Sequence, residues 1–309
     1  VVFESADSQG IRATFDSSNN KVVIAYADFG NSGYGTAIVG TVSGTSISFG
    51  TATSFHNAAF VRGAITFDSS NNKVVVGYGD SGNSNYGTAR VGTVSGTGIS
   101  FGTEVVFNSG GTDEMSATFD SNNNKVIFGS QNAYENGDTL FTAATFDTST
   151  NKIIVAFVDN DDGGKGKIVS METSGTNVPV TGNLAVFNDA TTNEISIVYD
   201  AAANKIGIAF DDAAESGHGR FMYATVSGVD ITLTDEATFN AATIDGHIGI
   251  AYDSTAERIA IGFRDEGDSF KGKSVVAIND TGGKVKAVGP DSAISQVIGS
   301  ETVFESAST

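Results

Sequence analysis

Residues 13–55 read ATFDSSNNKVVIAYADFGNSGYGTAIVGTVSGTSISFGTATSF, and residues 65–107 read ITFDSSNNKVVVGYGDSGNSNYGTARVGTVSGTGISFGTEVVF. The offset is 52 residues and the two copies nearly coincide, so the chain is a tandem repeat. A Phe/Tyr-Asp pair marks the same point along the rest of the sequence: Phe15–Asp16, Phe67–Asp68, Phe119–Asp120, Phe146–Asp147, Tyr199–Asp200 and Tyr252–Asp253. The intervals are 52, 52, 27, 53 and 53 residues, so the third copy is about half length. Five residues after each Asp comes a basic residue, Lys21, Lys73, Lys125, Lys152, Lys205 or Arg258. Seven further on comes Asp28, Asp80, Asn132, Asp159, Asp212 or Asp265.

The unit divides into four short strands. The first ends at Thr-Phe-Asp. A Ser/Asn turn follows, whose residues tolerate left-handed backbone and bond their own main chain. The second strand, KVVIAY at 21–26, is a nearly unbroken apolar run, as are KVVVGY, KIIVAF and KIGIAF. Such runs need cover on both faces. A Gly/Asn/Ser loop leads to a third strand at 36–42, and the turn SGT to a fourth at 46–49 that continues toward Phe55.

Four antiparallel strands in about 50 residues is the length of a propeller blade, whose inner strands are covered on both sides. Solenoid rungs run to roughly 20–30 residues and sandwich domains to about 100, and both fit less well. The expectation is therefore all-β: one β-propeller domain over residues 1–309, of four-stranded antiparallel blades. Six blades with one stunted is the preferred count; five blades with an inserted hairpin is the alternative. The chain opens on VVFES and ends near TVFES, both like VVFNS at 105–109, so an N-terminal strand is expected to complete the last blade. That blade carries extra residues around 282–297. The lack of an initiating Met suggests a segment excised from a longer chain.

Of 309 residues, 38 are Gly and 2 Pro, which excludes collagen and Pro-rich disorder. A formal charge of −19 repels phosphate backbones and anionic lipid, so nucleic-acid binding is not expected. With no Cys there is no disulfide and no thiolate chemistry. No apolar run is long enough to span a membrane, and no signal peptide is visible.

The units VVIAYAD and GNSGYGTAIVGTVSGTSISFG resemble the repeats of sialidase-like and lectin-like propellers across the whole chain, at the level of pattern. The wording of VVFES and KVVIAY is similar to long repetitive surface proteins of marine bacteria and their phages, best over 12–107. The first resemblance implies a propeller; the second implies a virion-surface or cell-surface setting. The sialidase Asp-box needs Trp, and there is none. That family's arginine triad has no counterpart among Arg12, Arg62, Arg90, Arg220, Arg258 and Arg264, so no catalytic residues carry over.

Two sets of residues stand out. In a ring, Asp28, Asp80, Asp159, Asp212 and Asp265 would recur around one face, where carboxylates and carbonyls suit a hard cation such as calcium. Asp161, in the run DNDDGG, joins them as part of a calcium-like loop lacking the bidentate Glu of an EF-hand. The plainer reading is that each Asp caps its own loop. Tyr34 and Tyr86, flanked by Gly and Asn, and Phe29 and Phe270 in corresponding loops, offer faces for a sugar or a protein partner. The plainer reading is that they pack back on their own strands. His56, His218 and His247 match no metal spacing, and no nucleophile motif is present. The expected function is thus a non-enzymatic binding or adhesion module outside the cell or on a virion, contacting a glycan or protein through its loops. A purely structural subunit of a larger assembly and a glycan-cleaving enzyme are the alternatives.

Overall fold

The computed structural model describes residues 1–130, 138–173, 182–244, 246, 248–279 and 285–288. Asn132, His247, the TVFES segment and the extra residues around 282–297, apart from Val285–Val288, lie outside them. Among the described residues the fold is all-β with antiparallel sheets and three single-turn 3-10 segments, Phe29–Asn31, Ala213–Glu215 and Glu266–Asp268. No helix among the described residues is long and apolar enough to cross a membrane.

The hairpin turn is built by one side chain. Asp16 Oδ1 accepts the backbone N–H groups of Ser18 and Asn19, each at 3.0 Å, and Asn19 Nδ2 donates to Asp16 Oδ2 at 2.8 Å. Asn20 then takes φ 54°, in the left-handed region that Asn tolerates. The same turn recurs at Asp68, Asp120, Asp147, Asp200 and Asp253. It joins β1 (Ser8–Asp16) to β2 (Lys21–Asp28), which pairs in turn with β3 (Tyr34–Ser43). The far end of β3 pairs with the short β4 (Ser46–Phe49).

The near end of β3 pairs with β5, a 16-residue strand (Thr53–Asp68) that serves two repeats. Its first half closes the first repeat; its second half, from Phe60, pairs with β6 (Lys73–Asp80) and opens the second. The second repeat continues through β7 (Tyr86–Ser95), β8 (Gly98–Phe101) and β9 (Val105–Gly111). Together these nine strands form one sheet, and the half-length copy is the two-stranded β10–β11 (Ser116–Asp120, Lys125–Gly129). This is one compact unit, Val1–Ala133.

The second unit, Tyr134–Thr309, repeats the plan. An eight-stranded sheet runs from β12 (Thr139–Asp147) through β13 (Lys152–Asp159), β14 (Lys165–Met171), β15 (Ala185–Asp200), β16 (Lys205–Asp212) and β17 (His218–Ser227) to β18 and β19 (Asp230–Leu233, Ala237–Thr243). Here β15 is the strand shared by two repeats. A four-stranded sheet follows: β20 (Gly249–Asp253), β21 (Arg258–Asp265), β22 (Lys271–Asn279) and β23 (Val285–Val288).

The apolar second strands behave as expected in three repeats: every residue of β13 is buried, and all but the leading Lys of β6 and β16. In β21 burial alternates, with Ala260 and Arg264 exposed. In the first unit, Val23 and Ala25 of β2 share one core with Val74, Val76 and Tyr78 of β6. A Cβ on Gly35, Gly87, Gly166 or Gly219 would come within 2.4–2.8 Å of Phe55, Phe107, Phe187 or Phe239, which is why this third-strand position is glycine in each.

Candidate functional site

The Asp ending each second strand has one main-chain role. Its carbonyl accepts the N–H of Gly33, Asn85, Gly164 or Gly217 at 2.7–2.9 Å, closing the loop to the third strand after Asp28, Asp80, Asp159 and Asp212. The side chains diverge. Eight residues on, facing the second-strand aromatic across the ladder, stand Thr36, Thr88, Lys167, Arg220 and Lys273. In the second unit each carboxylate meets that cation. Asp159 is bonded by Lys167, Asp212 lies 3.8 Å from Arg220 Nε, and Asp265 lies 2.8 Å from Lys273 Nζ. Asp161 is exposed and accepts the Asp138 N–H at 3.1 Å. Asp28 is half-buried and its side chain caps nothing in the following turn.

Of the aromatic candidates, Phe29 stands out from the surface, 49% exposed. Tyr34 and Tyr86 are half-buried at the starts of β3 and β7. Phe270, at φ 60°, lies under the Arg264 guanidinium, 5.2 Å from its ring centre.

Asp80 is treated differently. Because β5 runs on from one repeat into the next, it carries His56 from the end of the first to the loop end of the second. His56 Nε2 lies 3.4 Å from Asp80 Oδ1, and both side chains are more than nine-tenths buried. Asp80 Oδ1 also accepts the Gly82 N–H at 2.9 Å. The imidazole rests on the ring of the fully buried Tyr78, 4.5 Å between centres. Burial holds the His56 pKa below its ordinary value; Asp80 and Glu104 oppose this, and Arg90 reinforces it. Burial, then the charge of Glu104, pushes the Tyr78 phenol well above its ordinary value.

Arg90, on β7, donates through Nη1 to the Phe55 carbonyl, and its Nε lies 3.8 Å from Oε2 of Glu104, just before β9. These residues, with Asn57, Ala58, Gly82 and Asn83, line an open cleft of about 530 Å³ in the first unit. Among the described residues, His56, Asp80 and Glu104 are the His, Asp and Glu side chains close enough together to share one metal ion. The other expected acidic residues do not join them. The arrangement presents two carboxylates, an imidazole, a guanidinium and two amides to whatever enters.

His56, Arg90 and Glu104 are not reached by motif spacing, since they come from β5, β7 and the segment just before β9. Their signal lies in the comparison of the two near-identical copies: position 38 is Ile and 90 is Arg, position 52 is Ala and 104 is Glu. Both residues that gain charge in the second copy line this cleft.

No family model matches the sequence, and no curated protein matches it. Solved structures do resemble it. A putative oxidoreductase (glucose dehydrogenase) from Thermus thermophilus gives a TM-score of 0.55 at 8% identity, covering 84% of this chain and 92% of that one. A protein of unknown function from Dyadobacter fermentans gives 0.53 at 11%, covering 89% and 80%. The exo-β-1,3-galactanase of Phanerochaete chrysosporium, in complex with β-1,3-galactotriose, gives 0.50 at 10% over 93% of this chain, which spans 63% of the galactanase's length. The likeness is one of fold. It sets the chain among all-β, antiparallel proteins of propeller and sandwich type.

Proposed function

We propose that the repeats form a β-propeller, six-bladed with the third blade reduced to a hairpin, that acts as a non-catalytic glycan-binding module on a cell or virion surface. One observation carries the binding reading: the second-repeat cleft, where Asn57, Asp80, Asn83, Arg90 and Glu104 converge in about 530 Å³. Binding sites for small ligands occupy ~300–1,000 Å³ and place a few polar groups for orientation. Carboxylate, amide and guanidinium groups bond pairs of sugar hydroxyls in two-point fashion. The fold likeness to a galactanase that holds a trisaccharide supports the ligand class, and the resemblance to repetitive surface proteins supports the setting. The test is a glycan array of neutral and acidic oligosaccharides, read with the labelled full chain in chelator. Saturable binding to a defined glycan supports the reading; binding to none overturns it.

A second reading rests on a separate distance. Asp80 and Glu104 offer carboxylate oxygens within 4.8 Å of each other, and two carboxyl groups ~5 Å apart serve retaining glycosidases. Asp80 is 6% exposed with Oδ1 already bonded to a backbone N–H, which leaves it poorly placed to attack. Chromatography of array-positive glycans after incubation separates the readings: cleavage lost in Asp80→Asn would favour the enzyme.

A further inference from the structure

We propose that His56, Asp80 and Glu104 form a single site for a divalent metal ion of the zinc type, opening into the cleft. His56 Nε2, one Asp80 oxygen and one Glu104 oxygen all lie within 4.8 Å of one another. The His56–Asp80 separation, 3.4 Å, is the edge of a tetrahedron whose metal–ligand bonds are ~2.1 Å long. Glu104 is 47% exposed at the cleft rim, where rotation of its long side chain can bring a carboxylate oxygen from within 4.8 Å of the other two ligand atoms to the ~3.4 Å that a tetrahedral site requires.

An independent observation points to a ligand. His56 is 7% exposed, and its Nε2 has no hydrogen-bond partner although it faces two carboxylates. A buried polar atom without a partner is destabilising, so a ligand that satisfies it is favoured. Zinc bound to that nitrogen would satisfy it and both carboxylates at once. The donor set selects the class of ion: calcium takes 6–8 oxygen ligands, whereas one imidazole and two carboxylates with an open fourth position suit zinc. Arg90 is drawn aside by its bond to the Phe55 carbonyl and engages Oε2 of Glu104, leaving that residue a second oxygen.

Among the described residues, the other repeats do not bring such a set together. Asn188 stands where His56 does and donates to Asp212 at 3.4 Å, so that position is already satisfied; Arg220 lies beside the same carboxylate. In the first repeat Ala52 replaces Glu104. The expected stoichiometry is therefore one ion per chain. The site does not depend on glycan binding, which is assayed in chelator.

The test is zinc titration of the metal-stripped full chain against a chromophoric chelator, with cobalt as a spectroscopic substitute. We expect one saturable site and a tetrahedral cobalt spectrum. His56→Asn, which installs the residue of the later repeats, is expected to weaken zinc roughly tenfold or more, since changes outside the ligand shell alone can cost that much. Glu104→Ala, an exposed change to the first-copy residue, should also weaken it with the unfolding midpoint unchanged in chelator, and decides the matter if His56→Asn fails to fold. No saturable site, or a folded variant that binds zinc as the parent does, would overturn the proposal.

Discussion

Lys273 Nζ lies 2.8 Å from Asp265 Oδ2, with both side chains more than nine-tenths buried in the second unit. Removing one partner of a buried pair strands the other charge, at a cost of about 3–5 kcal/mol; replacing both is often neutral. Lys273→Met should therefore destabilise strongly, and Lys273→Met with Asp265→Asn should recover most of the loss. Urea unfolding of the three chains checks it; equal losses in the single and double variants would contradict it.

Asp211, paired in register with Gly219, has the opposite problem. It is 6% exposed, and burial, with the charge of Asp212, pushes its pKa up to about 6 against a bond from Asn193. The folded state thus holds a proton that the unfolded chain releases near its ordinary value of 3.8. Stability should fall as pH rises from about 4 to about 6, and the full loss, on the order of 3 kcal/mol, should persist above that. Asp211→Asn should raise the unfolding midpoint at pH 7 and leave it nearly unchanged at pH 4.

Gly77 tests the packing of the half-length copy. A Cβ there would stand 2.4 Å from the Phe128 ring of β11, whereas the matching position of the first repeat is Ala25. Gly77→Ala should destabilise by about 1–3 kcal/mol through overpacking. The same change with Phe128→Leu should cost less than the sum of the two.

Closure of the repeats into a ring is measurable by small-angle scattering. A compact chain of this length should give a radius of gyration of ~19–20 Å. A markedly larger value with an elongated distance distribution would exclude the propeller.

The turns and inner strands were legible because their causes are local. Asp16 and its counterparts bond residues two and three positions on, and the KVVVGY, KIIVAF and KIGIAF runs state their own burial, although in KVVIAY itself Val22 and Ile24 stay half-buried. The shared strand β5 was not legible: the first copy read as ending at Phe55 and the second as beginning at residue 65, with no sign that one strand, Thr53–Asp68, runs through both. The site followed from that strand, since only its passage brings His56 to Asp80. The cations facing Asp159, Asp212 and Asp265 stand at a fixed offset of eight in the sequence, but their meaning depends on the β-ladder register.

The most direct test of glycan recognition at the second-repeat cleft is one array read with two proteins, the parent chain and the Arg90→Ile, Glu104→Ala double variant. The variant restores the first-copy residues at both positions. Hydrogen bonds to charged groups contribute about 1.5–3 kcal/mol each, so its signal should fall at least ~tenfold on every glycan the parent binds. Equal signals from two folded proteins would place recognition elsewhere.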